Sequence, residues 1–251
     1  MNKRERLNRI LQMVNEHGTI NNNEMIEMLQ VSDMTIRRDL DELESAGKLI
    51  RFHGGAQSVN YSLDFELLHL EKTTVNMDQK KQIASKAASL VREGDSIFLG
   101  PGTTVEIMAS LLAGKQITVV TNSLEIFTML AESRETQLIL AGGIRRDQTS
   151  CFAGPIANRT IGNIFYDKAF VSCNGIFAKQ FTTSSLEEAD TMRLAMKNSK
   201  SCYLLADLSK FSHQDKFAFG SLSELDAMIV NSPVPEGLLQ TCQSLCTVME
   251  V

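Results

Sequence analysis

The sequence has no apolar run long enough to cross a bilayer, which takes about 20 residues. Its first residues, Met1-Asn2-Lys3-Arg4-Glu5-Arg6, are charged rather than signal-like. These absences argue against a membrane partner or secretion, and the expected location is the cytoplasm. There is no excess of positive charge either: 25 Lys and Arg stand against 30 Asp and Glu, for a net charge of −5. A protein coated in cations is excluded, so any contact with nucleic acid has to be local. The five cysteines, Cys151, Cys173, Cys202, Cys242 and Cys246, form an odd set without paired metal-type spacing. Cys242 and Cys246 can share a helix face, but the set reads as buried free thiols; neither a metal nor a cofactor is expected. Apolar residues are plentiful, at 43% of 251 positions. That supports a packed core, in one large domain or in a small domain joined to a larger one.

One stretch organises the rest: Ser32-Asp33-Met34-Thr35-Ile36-Arg37-Arg38-Asp39-Leu40. Ser32 is a good N-cap, and Asp33 adds a negative charge where a helix dipole favours one. Ile36, Leu40 and Leu43 repeat at spacings of four and three, which predicts a helix with one face in a core. Thr35, Arg37 and Arg38 lie off that stripe. Guanidinium forks suit guanine edges and phosphates in a major groove, and hydroxyls suit phosphate positioning. Taken alone, the same pattern also describes a solvated helix face.

The flanking residues favour the first reading. Asn2 to His17 is predicted as a helix, with Leu7, Ile10, Leu11 and Val14 on one face and Gly18 as its stop. Thr19-Ile20 reads as an extended connection. The run Asn21-Asn22-Asn23 caps a short helix carrying Met25, Ile26, Met28 and Leu29, and Gln30-Val31 turns into the Ser32 helix. Two short helices so joined form a helix-turn-helix pattern. Gly47 ends the second, Lys48 to Phe52 alternates as a strand, and Gly54-Gly55 makes a tight turn. That is a wing, and it places Arg51 and His53 near a sugar-phosphate backbone. Residues 1–52 hold eight Lys and Arg against nine Asp and Glu, but the cations group at 3–9, 37–38 and 48–51. Clustering matters more than the sum for phosphate contact.

Residues 57–76 read as a linker with a possible short strand at Phe65 to Leu70. Beyond it, apolar strands alternate with helical segments, which predicts a mostly parallel, helix-covered sheet. A helix from Met77 through Val91 precedes a buried strand, Ser96 to Leu99. Then come a turn, Gly100-Pro101-Gly102-Thr103-Thr104, and a helix from Val105 to Leu112. Glycine lets backbone amides approach an anion, and a helix N-terminus adds free N–H groups, so a phosphate fits there. The turn is neither a Walker loop nor a dinucleotide fingerprint. Further strands end at Thr121-Asn122-Ser123, Gly142-Gly143, Asn174-Gly175, Asp207 and Asn231. Small or polar residues at strand C-termini are where open α/β sheets bind ligands.

Arg6, Ile10, Val14 and the nine residues from Ser32 to Leu40 resemble the N-terminal signature of the DeoR family of bacterial repressors. His53-Gly54-Gly55-Ala56 resembles that family's wing, and the likeness extends over nearly the whole chain. It implies an N-terminal winged helix-turn-helix domain at 1–57, a linker at 58–76, and at 77–251 an open α/β domain similar to ribose-5-phosphate isomerase. It further implies that Ser32, Met34, Thr35, Arg37, Arg38, Arg51 and His53 contact double-stranded operator DNA, and that Gly102, Thr103 and Thr104 hold the phosphate of a sugar-phosphate effector. Thr121, Asn122, Ser123, Gly142, Gly143, Asn174, Gly175, Glu188 and Lys210 would line the remaining site. Glu188 would accept from sugar hydroxyls, and Lys210 would pair with a phosphate or carbonyl oxygen. Read without the resemblance, Gly142-Gly143 is equally a plain turn and Lys210 a surface residue. Many relatives carry aspartate where this chain has Gly100, so the phosphate role carries over more firmly than any sugar-reading role. Within the family the chain looks most like the branch that represses lactose phosphotransferase-system genes in Gram-positive bacteria, whose effector is tagatose 6-phosphate.

The expected protein is therefore a repressor that binds DNA as a homo-oligomer, dimer or tetramer, and is released by a sugar phosphate. The alternative is a sugar-phosphate isomerase or lyase with an accessory DNA-binding domain, using Glu187, Glu188 or Asp190 as base and Lys210 as electrophile. No paired-carboxylate constellation stands out near Gly100-Pro101. Arg145 and Arg146 fit either a ligand phosphate or a subunit interface.

Overall fold

The computed structural model describes residues 3–17, 19–52, 54–58, 72–211 and 213–251. The chain divides into two compact units, 1–65 and 66–251, at a point inside the stretch read as a linker. Most of that stretch, including the possible strand at 65–70, lies outside the described residues.

The first unit contains α1 (Lys3–His17), β1 (Thr19–Asn21), α2 (Asn22–Leu29), α3 (Asp33–Ser45), β2 (Leu49–Phe52) and β3 (Gly55–Ser58). Asn21 and Glu24 form a reciprocal capping box at the start of α2. Ser32 caps α3 by accepting from the Thr35 amide. Gly47, at φ +66°, closes α3: its amide donates to Glu44, and the next amide reaches back to Leu43. Ile10, Met13, Val14, Met25, Ile36, Leu40, Leu43 and Leu49 form the buried core. Thr19-Ile20 is more than a connection. It belongs to a strand whose Thr19 pairs with Gln57 and Asn21 with Gly55, making a sheet of order β1-β3-β2. Three residues show no strand pattern alone; the partner arrives more than thirty positions later. Ser58, at the head of the expected linker, is the last residue of β3.

The second unit is built on a seven-stranded parallel sheet. Its strands are β4 (Ser96–Leu99), β5 (Thr118–Thr121), β6 (Gln137–Leu140), β9 (Tyr166–Ser172), β12 (Ser199–Leu205), β14 (Ala227–Val230) and β15 (Thr247–Glu250). Their order is β15-β14-β12-β9-β4-β5-β6. Helices α4 (Met77–Ser89), α5 (Thr103–Ser110) and α6 (Leu124–Leu130) alternate with the early strands; α7 (Pro155–Gly162), α8 (Leu186–Lys197) and α9 (Glu236–Gln243) belong to the later half. Alternating residues separate two cores. Ile97, Leu99, Val119, Phe170, Leu205 and Ile229 pack with Ile83, Val105 and Met108 of α4 and α5. Phe98, Val120, Val171, Leu204 and Met228 pack with Ile161, Ala189 and Met192 of α7 and α8. Burial on both faces is why these strands read as unbroken apolar runs.

Two antiparallel additions complete the unit. The hairpin β7 (Ile144–Arg146) and β8 (Cys151–Ala153) follows β6, and a three-stranded sheet joins β10 (Gly175–Phe177), β11 (Gln180–Thr183) and β13 (Phe217–Ser221). The chain lays down β4, β5 and β6 in one direction and then returns to place β9 on the other side of β4. The sheet thus has a topological switch point between β4 and β9. Ligands in open α/β sheets bind in the crevice beyond the strand C-termini at such a point.

Candidate functional site

In the first unit, α3 presents its exposed face through Met34, Arg37 and Arg38, with Met34 72% exposed. Such an apolar group can meet a thymine methyl. Arg37 pairs with Asp33 one turn back at 2.8 Å, whereas Arg38 makes no hydrogen bond or ion pair among the described residues. Thr35 does not point freely outward, because its hydroxyl bonds the Ser32 hydroxyl at 2.9 Å and completes the cap. Arg51 is folded back onto α3: its guanidinium pairs with Asp41, and its amide donates to Glu44 at 2.9 Å. His53 lies outside the described residues. Beneath the surface, Arg6 of α1 grips Asp39 of α3 through two bonds, Nε to Oδ2 at 2.5 Å and Nη2 to Oδ1 at 3.2 Å. Asp39 holds the Arg6 guanidinium above its ordinary pKa.

In the second unit, α5 begins at Thr103, two residues before the predicted start, so Thr103 and Thr104 occupy its first turn. Gly102 is the N-cap at φ +137°, a conformation L side chains rarely adopt. Glu106 makes the first helical bond back to Gly102, leaving the amides before it directed out of the turn. Thr103 and Thr104 are 9% and 4% exposed, and neither hydroxyl has a hydrogen-bond partner among the described residues.

Two lysines from neighbouring elements are coupled to this region: Lys80 interacts electrostatically with Glu106 of the first turn and with Lys210. Lys80 of α4 is 5% exposed, and its ammonium donates to the Lys72 carbonyl at 2.5 Å. Burial, reinforced by Lys210, lowers its pKa to about 8, while Asp207 and Glu106 partly offset this. Lys210 ends a short 3-10 turn just after β12, capped by Asp207. Burial disfavours the charge on Asp207, yet Lys210, the Ser209 hydrogen bonds and Lys80 hold its carboxyl below the usual range. Asn76 also donates to Asp207, at 3.2 Å. Asn174 sits beyond β9, accepting from Lys72 at 3.2 Å and donating to Asp215 at 2.7 Å. Gly175 is required by packing, since a Cβ there would lie 2.2 Å from the His213 carbonyl oxygen.

The remaining expected lining residues gather around the β7–β8 hairpin. Thr121 donates to Leu99 at 2.7 Å and accepts from the Ser123 amide, while Ser123 caps α6, so both are engaged in shaping the loop. Asn122 donates to the Phe152 carbonyl at 2.8 Å, and its buried Oδ1 has no partner among the described residues. Gly142 faces open space, whereas a Cβ on Gly143 would meet Ala153 oxygen at 2.7 Å. Glu188 is 2% exposed and already engaged: it accepts from Thr149, from Thr183 at 3.1 Å and from Cys151 at 3.2 Å, and it pairs with Arg146 at 3.0 Å. This carboxylate fastens the hairpin to the start of α8. Arg146 also donates to Ser184 at 2.8 Å and so works within the chain, and Arg145 pairs with exposed Asp147. The free thiols of Cys151, Cys173, Cys202 and Cys242 are buried, and Cys246 is half-buried. Burial pushes Cys173 up to about 12.

Comparison with known proteins agrees with both halves of this picture. Residues 6–61 match the model of the DeoR-like helix-turn-helix domain, and residues 75–232 match that of the DeoR C terminal sensor domain. The chain belongs to the DeoR family. It is 43% identical over 233 residues to the lactose phosphotransferase system repressor of Streptococcus mutans, covering 92% of this chain and 93% of that one. It is 42% identical, over the same shares, to the protein of that name from Staphylococcus aureus strain N315. In solved structures, ribose 5-phosphate isomerase A from Methanocaldococcus jannaschii aligns with TM-score 0.40 and 20% identity, over 54% of this chain and 55% of that one. The DeoR-family relatives are repressors, and this chain is a sugar-operon transcriptional repressor rather than an enzyme.

Sequence reasoning about this DeoR-family chain passes over Lys72, Lys80 and Asp207 as site residues. Lys80 lies in a predicted helix, where a lysine ordinarily marks the solvent side; its burial depends on α5 and the β12 loop. Its one sequence-level signal is position, since it shares the Ile83-Ala84-Ala87 side of the helix. Among the described residues, no group of three or more His, Cys, Asp or Glu is placed to hold a metal, and no helix is long and apolar enough to cross a membrane.

Proposed function

We propose that the protein represses a lactose- or galactose-utilisation operon of the tagatose 6-phosphate pathway and leaves its operator when that sugar phosphate binds. Residues 1–57 act as the DNA-binding domain, 58–76 as a linker and 77–251 as the sensor. The protein works in the cytoplasm as a homo-oligomer, dimer or tetramer. Ser32, Met34, Arg37 and Arg38 face operator DNA, and Thr35 acts through the cap. Arg51 reaches phosphate only by leaving Asp41, and His53 belongs to the same wing. Gly102, Thr103 and Thr104 hold the effector's phosphate with Lys80 and Lys210 as counter-charges. Asn122, Gly142, Asn174 and Gly175 line the sugar end, while Thr121, Ser123, Gly143 and Glu188 keep that wall in place.

The observation that carries the sensor reading is that the turn beyond β4, beside the switch point, joins a glycine N-cap to the nearly buried Thr103 and Thr104, whose hydroxyls have no partner among the described residues, and that buried Lys80 is coupled to Glu106 of the same first turn. Each favours an anion, and together they favour a phosphate. The lactose assignment is supported by identities of 42–43% to repressors of that name. Release follows if the effector binds the DNA-incompetent state more tightly than the competent one.

The test is fluorescence-anisotropy binding to the gene's own upstream DNA, with and without tagatose 6-phosphate. Release specific to that compound supports the whole reading. Tight binding indifferent to it defeats the lactose assignment, and absence of specific binding at low salt defeats the operator assignment.

A further inference from the structure

We infer that Ser172 is a third hydroxyl donor to the effector's phosphate, delivered from β9 across the switch point to the turn that begins α5. This rests on the proposed anion site and adds a residue to it.

Three observations place the residue there. A Cβ built on Gly102 would lie 3.0 Å from Ser172 Cβ and 3.3 Å from Ser172 Oγ, so this hydroxyl stands directly against the N-cap of α5. Strand parity directs it to the correct side. Phe170 packs with the α4–α5 core and Val171 with the opposite one. Ser172, next in the alternation, returns to the face that carries Thr103, Thr104 and Lys80. Finally, Ser172 is half-buried and makes no side-chain hydrogen bond among the described residues. Its neighbours are differently engaged: Cys173 points into the other core, and both ends of the Asn174 amide are used.

The arrangement also explains why position 102 is glycine beyond its φ. Any side chain there would push against Ser172 and fill the gap between the β9 hydroxyl and the α5 amides. The phosphate would then be held by Thr103 and Thr104 from its own helix and by Ser172 from the adjacent strand. Donors from two elements fix an oxyanion's orientation as well as its charge, which a helix end alone does not do.

The experiment is isothermal titration of the full-length protein with inorganic phosphate and with tagatose 6-phosphate, comparing the unaltered chain, Ser172→Ala and Ser172→Thr. The expected result is that Ser172→Ala weakens both ligands by a similar factor of about ten or more, the scale of one hydrogen bond to a charged group. Ser172→Thr, which keeps the hydroxyl, retains most of the affinity. Thermal midpoints of the variants check that each is folded. Unchanged affinity in Ser172→Ala overturns the assignment, and so does weakening confined to the sugar phosphate, which would move the contact to the sugar. If the unaltered chain binds neither ligand, the proposed anion site itself fails.

Discussion

The Arg6–Asp39 pair ties two helices of the DNA-binding unit together, and the effect of breaking it can be worked from the structure. Asp39 is 3% exposed and Arg6 15% exposed, and the bond joins α1 to α3 across 33 residues of sequence. Breaking a buried pair by deleting one partner costs about 3–5 kcal/mol. Arg6 has partial access to water, which relieves some of that cost, so Asp39→Ala should lose about 2–3 kcal/mol. A 65-residue unit has a total stability of only about 3–10 kcal/mol. At about 4–8 °C per kcal/mol for a domain of this size, its melting midpoint should fall by about 8–24 °C. Scanning calorimetry of the full chain reads this in the transition assigned to the first unit. The double variant Arg6→Met/Asp39→Leu, which removes both charges, should recover much of the loss. A midpoint in Asp39→Ala within about 2 °C of the unaltered chain would refute the argument that this pair holds α3 in place.

Arg38 has no partner among the described residues and Arg37 must leave Asp33 to reach DNA, so Arg38→Ala should weaken operator binding by about 1–3 kcal/mol. Arg37→Ala should cost less by the roughly 0.3–0.5 kcal/mol of a surface helix pair; equal affinity of both variants to the unaltered chain, measured by anisotropy, would remove α3 as the reader. Gly175→Ala should destabilise the second unit by at least about 1–3 kcal/mol, because the new methyl overlaps the His213 carbonyl. A normal thermal midpoint for that unit would contradict the contact. Lys80 has a folded pKa near 8 against an ordinary value of 10.5. Its charged form is disfavoured on folding, so ligand-free stability should rise with pH between these values. A bound phosphate favours the ammonium, so effector affinity should fall as pH climbs through about 8, approaching ten-fold per unit. Titrations between about pH 7 and pH 9 check this, and Lys80→Gln should flatten the profile.

The DNA-reading half is legible in the sequence because its signals are local. Ser32 caps the residues that immediately follow, Ile36, Leu40 and Leu43 repeat within one helix, and Gly47 stops that helix within one turn. Six of the seven parallel strands are legible for a related reason; the edge strand Thr247 to Glu250, exposed at both ends, is not. Burial on both faces leaves runs such as Ser96 to Leu99 and Ala227 to Val230 that need no partner to be recognised.

What required the tertiary structure is whatever depends on a distant partner. Thr19 becomes a strand only beside Gln57, and Gly175 to Phe177 only beside residues 180–183. Glu188 reads as a free carboxylate until Arg146, Thr149 and Thr183 are brought to it. Lys80 reads as a surface cation until α5 and the β12 loop cover it, and Ser172 as the last residue of a strand until Gly102 is folded against it. The sequence by itself determined the DNA-reading helices, most of the parallel strands and the family, because capping, periodicity and burial act within a few residues. Strand order, the switch point and the partners of each buried charge were decided by the fold, because chain closure sets which distant groups share one low-dielectric space.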